Sequence, residues 1–243
     1  MPSSAPDMPL PPVHGYRGQA PTPPPLTHPR GLSVAISREA GARGGTIARK
    51  VGELLGWQVF DQETLDYLMQ NDTAREQLLA EVPGAARAWA DTHFSRLHRD
   101  QKLTADPDTA AMIRLLLAVA ARGDAVIVGR GAGFLLPPES TVHVRVVAPF
   151  ERRVAYFAQW ARLTREEAAE EVRARDERRA AFLAAALGRN PADPTGYDVV
   201  VNVDRLGVEG AAQFIGWAVR TKQMFAEIRA AEEAAGPDGS PGS

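Results

Sequence analysis

The stretch that decides the fold is residues 32–47, which read LSVAISREAGARGGTI. Residues 32–37 are a short β-prone run that stops before a cluster of glycines, and such a run bounded by a turn signal predicts a buried strand. From Thr46 onward the apolar residues recur at helical spacing, and Gly56 stands where a helix favours a left-handed closing residue. The stretch therefore predicts a strand, a glycine-rich turn and a helix in immediate succession.

The same alternation continues along the chain. Further β-prone runs are residues 57–60, 125–129, 142–147 and 199–202. Residues 62–121 have a mostly helical pattern that breaks near Pro83 and Pro107, and long helical patterns also separate the later strands. Because helical crossovers join parallel strands, the pattern predicts an α/β fold, a five-stranded parallel sheet with helices on both faces.

Composition and charge narrow the class of protein. The 243 residues are 44% hydrophobic and include no cysteine, which suits a globular core and excludes disulfide scaffolds, cysteine-ligated metals and thiol nucleophiles. A formal net charge of −2 gives no general attraction to nucleic acid or anionic lipid. No apolar stretch approaches the roughly 20 residues of a membrane helix, and no secretory signal is visible. We predict a cytoplasmic protein without nucleic-acid or membrane partners.

Composition also gives the predicted boundaries of the domain. Ten of the 19 prolines fall among the first 30 residues, where no apolar periodicity occurs. Such a segment cannot offset its ordering entropy by burial, so residues 1–29 are predicted to be a disordered tail. Residues 30–230 form the predicted domain, and residues 231–243 a second disordered tail, most clearly from Gly236 onward.

The turn after the first strand is a candidate phosphate-binding loop. Glycines let successive backbone N–H groups converge on an anion, and the following helix adds its positive end. The alternative is a tight turn chosen only for backbone freedom. The candidate nucleotide-binding residues of this loop are Ser37, Arg38, Gly41, Arg43, Gly44, Gly45 and Thr46.

The loop departs from the usual G-x-x-x-x-G-K-[ST] pattern. Arg38 and Arg43 replace its two glycines, and Gly44 stands at the lysine position. The chain has only three lysines among its 28 basic residues, and none lies in the loop. Arg38 or Arg43 would have to supply the missing charge, as a planar fork rather than a compact ammonium.

Further arginines follow the third and fourth predicted strands. Arg130, within the run VGRGAG at residues 128–133, is sited for a bidentate grip on a phosphate, and a structural ion pair is the alternative. The arginine-rich segment from Arg152 to Arg179 contains Arg175, Asp176 and Arg179 at spacings that bring them together on a helix. Glutamates one or two turns earlier could instead pair with many of these charges on a solvated face.

Other chemistries find little support in the sequence. His93 and His98 are five residues apart, which suits no helical metal pair, and His143 lies inside a predicted strand. The H-E-x-x-H, G-x-S-x-G and G-x-G-x-x-G patterns are absent. Hydrolase and dehydrogenase activities are therefore not expected, and no residue is assigned as a metal ligand.

The ordered series of motifs resembles the cytidylate kinase-like proteins, a branch of the nucleoside monophosphate kinases. The resemblance spans about residues 32–218. It rests on ISRE at 36–39, GARGGTIA at 41–48, LGW at 55–57, FD at 60–61, VIVGRG at 126–131, the pair Asp176 and Arg179, and YDVVVN at 197–202. The series is much more specific than any one of its parts.

The resemblance implies a P-loop-type three-layer fold and a kinase reaction. Residues 61–121 would be a helical monophosphate-binding insertion and residues 150–195 a lid. ATP would be the donor, CMP or dCMP the acceptor, and Mg²⁺ would bridge the phosphates. Small-molecule nucleotides are thus the expected partners, and the oligomeric state stays open.

The resemblance also implies roles for individual residues. Gly41, Gly44, Gly45 and Thr46 would hold the ATP phosphates. Asp61 would border the acceptor site, where Arg130 would grip the acceptor phosphate and Arg153 would also bind substrate. Catalytic roles in the transfer fall to Arg130, Arg175, Asp176 and Arg179. The chain departs from orthodox cytidylate kinases at three positions, with Gly44 for the lysine and Val128 and Gly131 for the aspartates that flank Gly-Arg.

Two other functions remain open from the sequence. The acceptor could be another small phosphorylated or hydroxylated metabolite. Alternatively the chain could be a nucleotide-binding regulatory module with little turnover, because the loop lacks its lysine.

Overall fold

The computed structural model describes residues 31–101 and 107–235. The predicted tail at residues 1–29 lies outside the described residues, as do residues 236–243. The predicted break near Pro83 is confirmed, because one helix ends at Glu81 and the next begins at Gly84. The predicted break before Pro107 falls on residues 102–106, which lie outside the described residues.

Five parallel strands form one sheet in the order β2-β3-β1-β4-β5. They are β1 (Ser33–Arg38), β2 (Gln58–Phe60), β3 (Ala125–Val128), β4 (Thr141–Val147) and β5 (Val199–Asn202). The predicted five-stranded parallel sheet is confirmed, and no strand end is shifted by more than one residue. Pairing of Ile36 with Val128 and with Val144 brings the carboxyl ends of the three central strands to one edge.

The helices are α1 (Gly44–Leu55), α2 (Gln62–Gln70), α3 (Asp72–Glu81), α4 (Gly84–Gln101), α5 (Pro107–Arg122), α6 (Ala132–Leu135), α7 (Phe150–Ala161), α8 (Arg165–Leu187) and α9 (Val203–Ala235). α1 starts at Gly44 rather than at the predicted Thr46, and it closes at Gly56 as expected, with a φ of 70° there. α9 runs to Ala235, beyond residue 230 where the sequence placed the end of the domain. The segments predicted as insertion and lid are α2–α5 and α7–α8.

The sheet carries a separate apolar core on each face. Successive side chains of a strand point to opposite faces, so Ala35 and Ile127 pack with α2, α4 and α5, whereas Val34 and Ile36 pack with α1 and α9. A third, smaller cluster joins α7, α8 and Ala40 of the glycine-rich loop. The loop is therefore supported by α7 and α8 as well as by the sheet.

Among the described residues, no helix combines the length and apolar character that crossing a membrane requires.

Candidate active site

The main cavity of about 780 Å³ lies at the carboxyl edge of the sheet, beneath α8. It is bordered by residues 37–39 at the end of β1, residues 128–131 at the end of β3, and residues 175–180 and 182–183 of α8. Ligands of open parallel sheets bind at this edge because no strand continues there. Of the residues that the sequence proposed, it brings together Ser37, Arg38, Arg130, Arg175, Asp176 and Arg179.

Arg38 enters this cavity as a largely enclosed cation. A Cβ on Gly44 would lie 2.7 Å from the Arg38 Cβ, and one on Gly129 would lie 2.0 Å from its Nη1, so the side chain runs over two glycines. Burial, together with the charges of Arg179 and Arg130, lowers the pKa of Arg38 to about 9, and the charge of Asp61 opposes this shift. The Arg38 guanidinium makes no hydrogen bond or close ion pair within residues 31–101 and 107–235.

Arg130 sits in an unusual backbone segment after β3. Gly129, Arg130 and Gly131 have φ angles of 81°, 55° and 71°, so three consecutive residues are left-handed. A non-glycine residue in that region costs about 1 kcal/mol or more and persists where the surroundings enforce it. The Arg130 guanidinium forms an ion pair with Asp66 of α2 at the boundary between the main cavity and a smaller one.

Two α8 arginines reach the same space from above. Arg179 donates a hydrogen bond from Nη1 to the carbonyl oxygen of Arg38 at 3.2 Å. Burial lowers the pKa of Arg179, the Asp176 charge opposes this, and neighbouring arginines add to it. Arg175 donates from Nε to Glu171 at 2.7 Å and lies over the ring of Phe157. Arg175 therefore pairs with a glutamate of its own helix, as the sequence allowed for this segment.

Arg153 and Asp176 are occupied by the protein itself. Arg153 has a side-chain exposure of 10% and donates from Nη1 to Asp176 Oδ2 at 2.6 Å and to the Ala40 carbonyl at 3.0 Å. Its Nε donates to the Ala148 carbonyl at 3.1 Å and lies 3.3 Å from Glu39. Asp176 Oδ1 accepts the Ala40 N–H at 2.7 Å. We call Glu39, Ala40, Arg153 and Asp176 the loop clamp, because they join the loop to α7 and α8.

The loop clamp bears on two predicted roles. Arg153 does not border the main cavity, so the structure places this predicted substrate-binding residue behind the loop rather than in front of it. Asp176 borders the cavity but already accepts from Ala40 and Arg153. Both residues hydrogen-bond to Ala40 of the loop, a contact that the sequence pattern did not reveal.

The glycine-rich loop leads into the start of α1. Gly41 has a φ of 78°, and a Cβ there would lie 2.5 Å from the Arg153 carbonyl oxygen, so both conformation and space require glycine. Arg43, also left-handed, precedes α1 without a side-chain cap, and its guanidinium lies 5.1 Å from the Tyr156 ring centroid. The first amides of α1, from Gly44 to Thr46, have no intrahelical acceptor. They are free to bind an anion, although they do not line the main cavity.

Asp61 follows β2, as the sequence predicted, and begins α2. Its Oδ1 accepts from the Thr64 amide at 3.1 Å and from the Thr64 hydroxyl at 3.0 Å, which caps the helix. Arg49 approaches its other oxygen at 3.8 Å. Asp61 therefore has a structural role, and its charge also acts on Arg38.

Nothing in the sequence indicated the hydrogen-bond partner of Ser37. His143, 4% exposed, donates from Nδ1 to the Gly196 carbonyl at 2.7 Å, so Nδ1 carries the proton and Nε2 accepts from the Ser37 hydroxyl at 2.9 Å. Burial lowers the pKa of His143 to about 4 despite the opposing effects of Gly196 and Asp198. The neutral imidazole thus ties the end of β1 to the residues before β5.

A smaller cavity of about 340 Å³ adjoins the main one. The two share Arg130 and Phe182. The lining of the smaller cavity is apolar on several sides and includes two carboxylates; its other members used below are Asp66, Met69, Asp108, Met112 and Leu187. None of these five residues was predicted from the sequence, because they come from α2, α5 and α8, which only the packing of the fold brings together.

Within residues 31–101 and 107–235, no group of three or more His, Asp or Glu is arranged to hold a metal ion.

The order of the parallel sheet, with a glycine-rich turn leading from its central strand into α1, defines a P-loop-type kinase fold. The chain belongs to the cytidylate kinase-like family, whose model matches residues 33–205. The predicted resemblance and fold class are thereby confirmed, and the family and fold are those of kinases that act on nucleotides or other small molecules.

The chain is also similar to individual proteins. A cytidylate kinase from Ignicoccus hospitalis is 28% identical over 183 residues, which cover 75% of this chain and 95% of that protein. A crystal structure of an uncharacterized protein from Eubacterium ventriosum is similar in fold, with a TM-score of 0.55 at 16% identity, covering 79% of this chain and 99% of that one. A shikimate kinase from Bacteroides thetaiotaomicron matches at 15% identity with a TM-score of 0.44, covering 78% and 98% of the two chains.

Proposed function

We propose that this protein transfers a phosphoryl group from ATP to a nucleoside monophosphate, with CMP or dCMP as the preferred acceptor. One observation carries the proposal: Arg38, enclosed and without a hydrogen-bond acceptor in the described part of the chain, faces the same cavity as Arg130 and Arg179. A cluster of like charges is unfavourable by itself, and a polyanion would neutralise it. Phosphate groups meet that requirement.

The arrangement suits phosphoryl transfer in particular. This reaction asks the protein mainly to position two phosphates and to stabilise charge on the transferring oxygens. Arg38 would take the part of the absent loop lysine, Arg130 would hold the acceptor phosphate, and Arg175 and Arg179 would act from α8. Asp176 would hold the loop in register with these arginines rather than touch the transferring group.

The smaller cavity is the proposed site for the nucleoside of the acceptor. Arg130 stands at its junction with the main cavity, so a nucleoside in the smaller space would direct its phosphate toward Arg130 and the arginines beyond. Met69, Met112 and Leu187 offer apolar surface to a flat base. The carboxylates of Asp66 and Asp108 suit a base that carries a hydrogen-bond donor such as the exocyclic amine of cytosine. The relative from Ignicoccus hospitalis, a cytidylate kinase, supports this choice of acceptor.

The ATP phosphates would lie on the amides that open α1, at Gly44, Gly45 and Thr46. Mg²⁺ belongs to the same proposal, since in P-loop folds a hydroxyl at the start of this helix and the nucleotide phosphates share the ion. Thr46 provides such a hydroxyl in the first turn of α1, so the residues present fit the ion. When bound, the ion would neutralise charge on the donor phosphates.

An ADP-release assay with CMP, dCMP, UMP, AMP and no acceptor tests the proposal. We expect CMP or dCMP to give the highest kcat/KM, and Arg130→Ala to lower that value by about 10²–10³-fold. Arg87→Ala, an exposed arginine of α4, is the matched control. Use of a different metabolite would overturn the choice of acceptor, and thermal stabilisation by ATP without turnover would favour a regulatory nucleotide-binding module.

A further inference from the structure

α9 has two apolar faces, and only one of them is covered. Ala212, Ile215 and Val219 are buried against the core that includes α1. The opposite face presents large side chains to solvent with exposures of 44–55%: Phe214, Trp217, Met224, Phe225 and Ile228. We call these five residues the α9 stripe. Isolated exposed apolar residues are ordinary, but a contiguous stripe with two aromatic rings in edge contact is typical of an interaction surface.

Four residues of the α9 stripe, Phe214, Trp217, Met224 and Ile228, have the spacing of a helix-pairing seam, and Phe225 lies beside it. Positions 214, 217, 221, 224 and 228 alternate steps of three and four residues, with Thr221 in the middle and apolar residues elsewhere. Such a repeat keeps one narrow face of a helix directed at a partner helix. None of these residues borders either cavity, so the stripe is not part of the proposed active site.

The charged residues beside the stripe favour a second copy of α9, in antiparallel orientation, as the partner. Arg220 and Glu227 lie on the same flank of the seam, both are exposed, and neither has an ion-pair partner in the described ranges. Across a two-fold axis near residues 222–223, Arg220 of one α9 would face Glu227 of a second, antiparallel copy, and the reverse pair would form as well. A parallel copy would instead bring Glu227 beside Glu232, with like charges opposed. The charge pattern is therefore complementary to itself in one orientation only.

We propose that the α9 stripe is the interface of a two-fold homodimer in which two α9 helices pack antiparallel. In this arrangement Trp217 packs beside Ile228 of the second copy, and Thr221 beside Met224. A single helical seam is a small interface, so the dissociation constant should fall between about 1 and 100 micromolar. The protein would be monomeric when dilute and dimeric when concentrated.

Sedimentation equilibrium of the full chain over that concentration range is the first test. We expect a mass that rises toward the dimer, and Trp217→Glu should weaken association by at least about 30-fold by placing a carboxylate in the seam. The matched control is Trp160→Glu, an exposed tryptophan on α7 away from the stripe. A wild-type monomer at every concentration, or a dimer that Trp217→Glu leaves intact, overturns the proposal.

A charge-exchange cycle tests the orientation. Arg220→Glu and Glu227→Arg should each weaken the dimer several-fold, because each creates two like-charge pairs, and the double variant should regain most of the wild-type affinity. Variants with unchanged thermal unfolding exclude misfolding as the cause. Single variants that weaken association without recovery in the double variant contradict the antiparallel pairing.

Cross-linking gives an independent measurement, because the chain has no cysteine and therefore no background. In the antiparallel dimer, Trp217→Cys on one chain and Ile228→Cys on another lie in the same layer, whereas two Trp217→Cys sites are about 16 Å apart along the helix axis alone. We expect disulfides in the mixture and none with Trp217→Cys alone. The opposite result would overturn the arrangement.

Two alternatives to a second α9 as the partner of the stripe are residues 1–30 of the same chain and a lipid surface, and further experiments on this protein distinguish them. If deletion of residues 1–30 converts a monomer into a dimer, that segment of the same chain covers the stripe, and the proposal fails. If the wild type remains monomeric but binds vesicles of phosphatidylcholine and phosphatidylserine through Trp217, the stripe is a lipid-binding surface, and the proposal fails as well.

Discussion

Arg153 and Arg38 have the same side chain and opposite surroundings. Arg153 is enclosed by two carbonyl oxygens and the carboxylates of Asp176 and Glu39. Arg38 is enclosed by glycines and by the charges of Arg179 and Arg130, with only the more distant Asp61 in opposition. The difference teaches that burial of an arginine does not define its role. Arg153, whose donors are satisfied, holds the loop in place, whereas the unsatisfied donors of Arg38 support its proposed role in ligand binding.

The largest expected effect on stability is the loss when Arg153 is removed. Arg153→Met would leave Asp176 without its closest cation and the Ala40 and Ala148 carbonyls without a donor. Removing one partner of a buried ion pair costs about 3–5 kcal/mol. We expect a loss near the lower end of this range in urea unfolding without nucleotide, because Asp176 is partly exposed.

A second variant sharpens this result. Asp176→Asn keeps an oxygen that can accept from Ala40 and removes only the charge, so it should lose less stability than Asp176→Ala. Equal unfolding midpoints for wild type, Arg153→Met and Asp176→Ala would show that the loop clamp contributes nothing to the fold.

Arg38→Met should give the reverse pattern. Met retains the length of the stem over Gly44 and removes a charge that has no close partner in the described residues, so the free energy of unfolding should stay equal or rise by about 1 kcal/mol. The kcat/KM for phosphoryl transfer should fall by about 10²–10³-fold, equivalent to roughly 3–4 kcal/mol. Thermal unfolding and the ADP-release assay on one preparation measure both quantities.

Arg38→Lys keeps the positive charge but loses the planar guanidinium with its paired donors. This variant should therefore be more active than Arg38→Met and less active than the wild type. If Arg38→Met and Arg153→Met lose the same free energy of unfolding, both arginines stabilise the fold, and the proposed difference between them is contradicted.

His143, like Arg153, stabilises the fold by joining distant parts of the chain, because its imidazole hydrogen-bonds to Ser37 and to Gly196. Its pKa is about 4 in the folded protein, against 6.5 ordinarily, so the unfolded chain binds more protons between these values and stability falls as pH falls from about 6.5 to 4. The slope from this residue reaches at most about 1.4 kcal/mol per pH unit. Above pH 6.5 its contribution is complete.

Unfolding midpoints measured from about pH 4 to pH 8 test this dependence. His143→Gln should flatten the acid slope, leaving the smaller contribution of His93, whose pKa burial also lowers. His98→Gln, at an exposed position of α4, should keep the wild-type slope. An unchanged slope in His143→Gln would show that the imidazole is not neutral in the folded state.

The sequence predicted the sheet and one edge of the site because both follow from local patterns. Buried β-prone runs and glycine turns are readable within a few residues, and parallel strands necessarily bring Arg38 and Arg130 to the same edge. The predicted start of α1 was wrong by two residues, since helix ends depend on contacts made outside the helix.

The loop clamp and the smaller cavity could not be predicted in the same way. Ala40 contacts Asp176 across 136 positions and Arg153 across 113, so only the packing of α7 and α8 brings them together. Spacing placed Asp176 and Arg179 on one helix face, and the family resemblance implied catalytic roles for both, whereas the Asp176 carboxylate accepts a hydrogen bond from the Ala40 amide of the loop. Likewise His143, in the middle of β4, offered no pattern that pointed to Ser37.

The smallest expected effect concerns the glycines that make room for Arg38. A Cβ on Gly44 would lie 2.7 Å from the Arg38 Cβ, whereas a Cβ on Gly45 meets only the flexible end of Arg49 at 4.0 Å. Gly44→Ala should therefore lower stability by about 1 kcal/mol through crowding, and Gly45→Ala should raise it by about 0.5–1 kcal/mol because alanine favours the helix. Thermal unfolding without nucleotide measures the difference. Opposite signs at neighbouring positions would support the path of Arg38 over Gly44, and equal gains would mean that the side chain lies elsewhere.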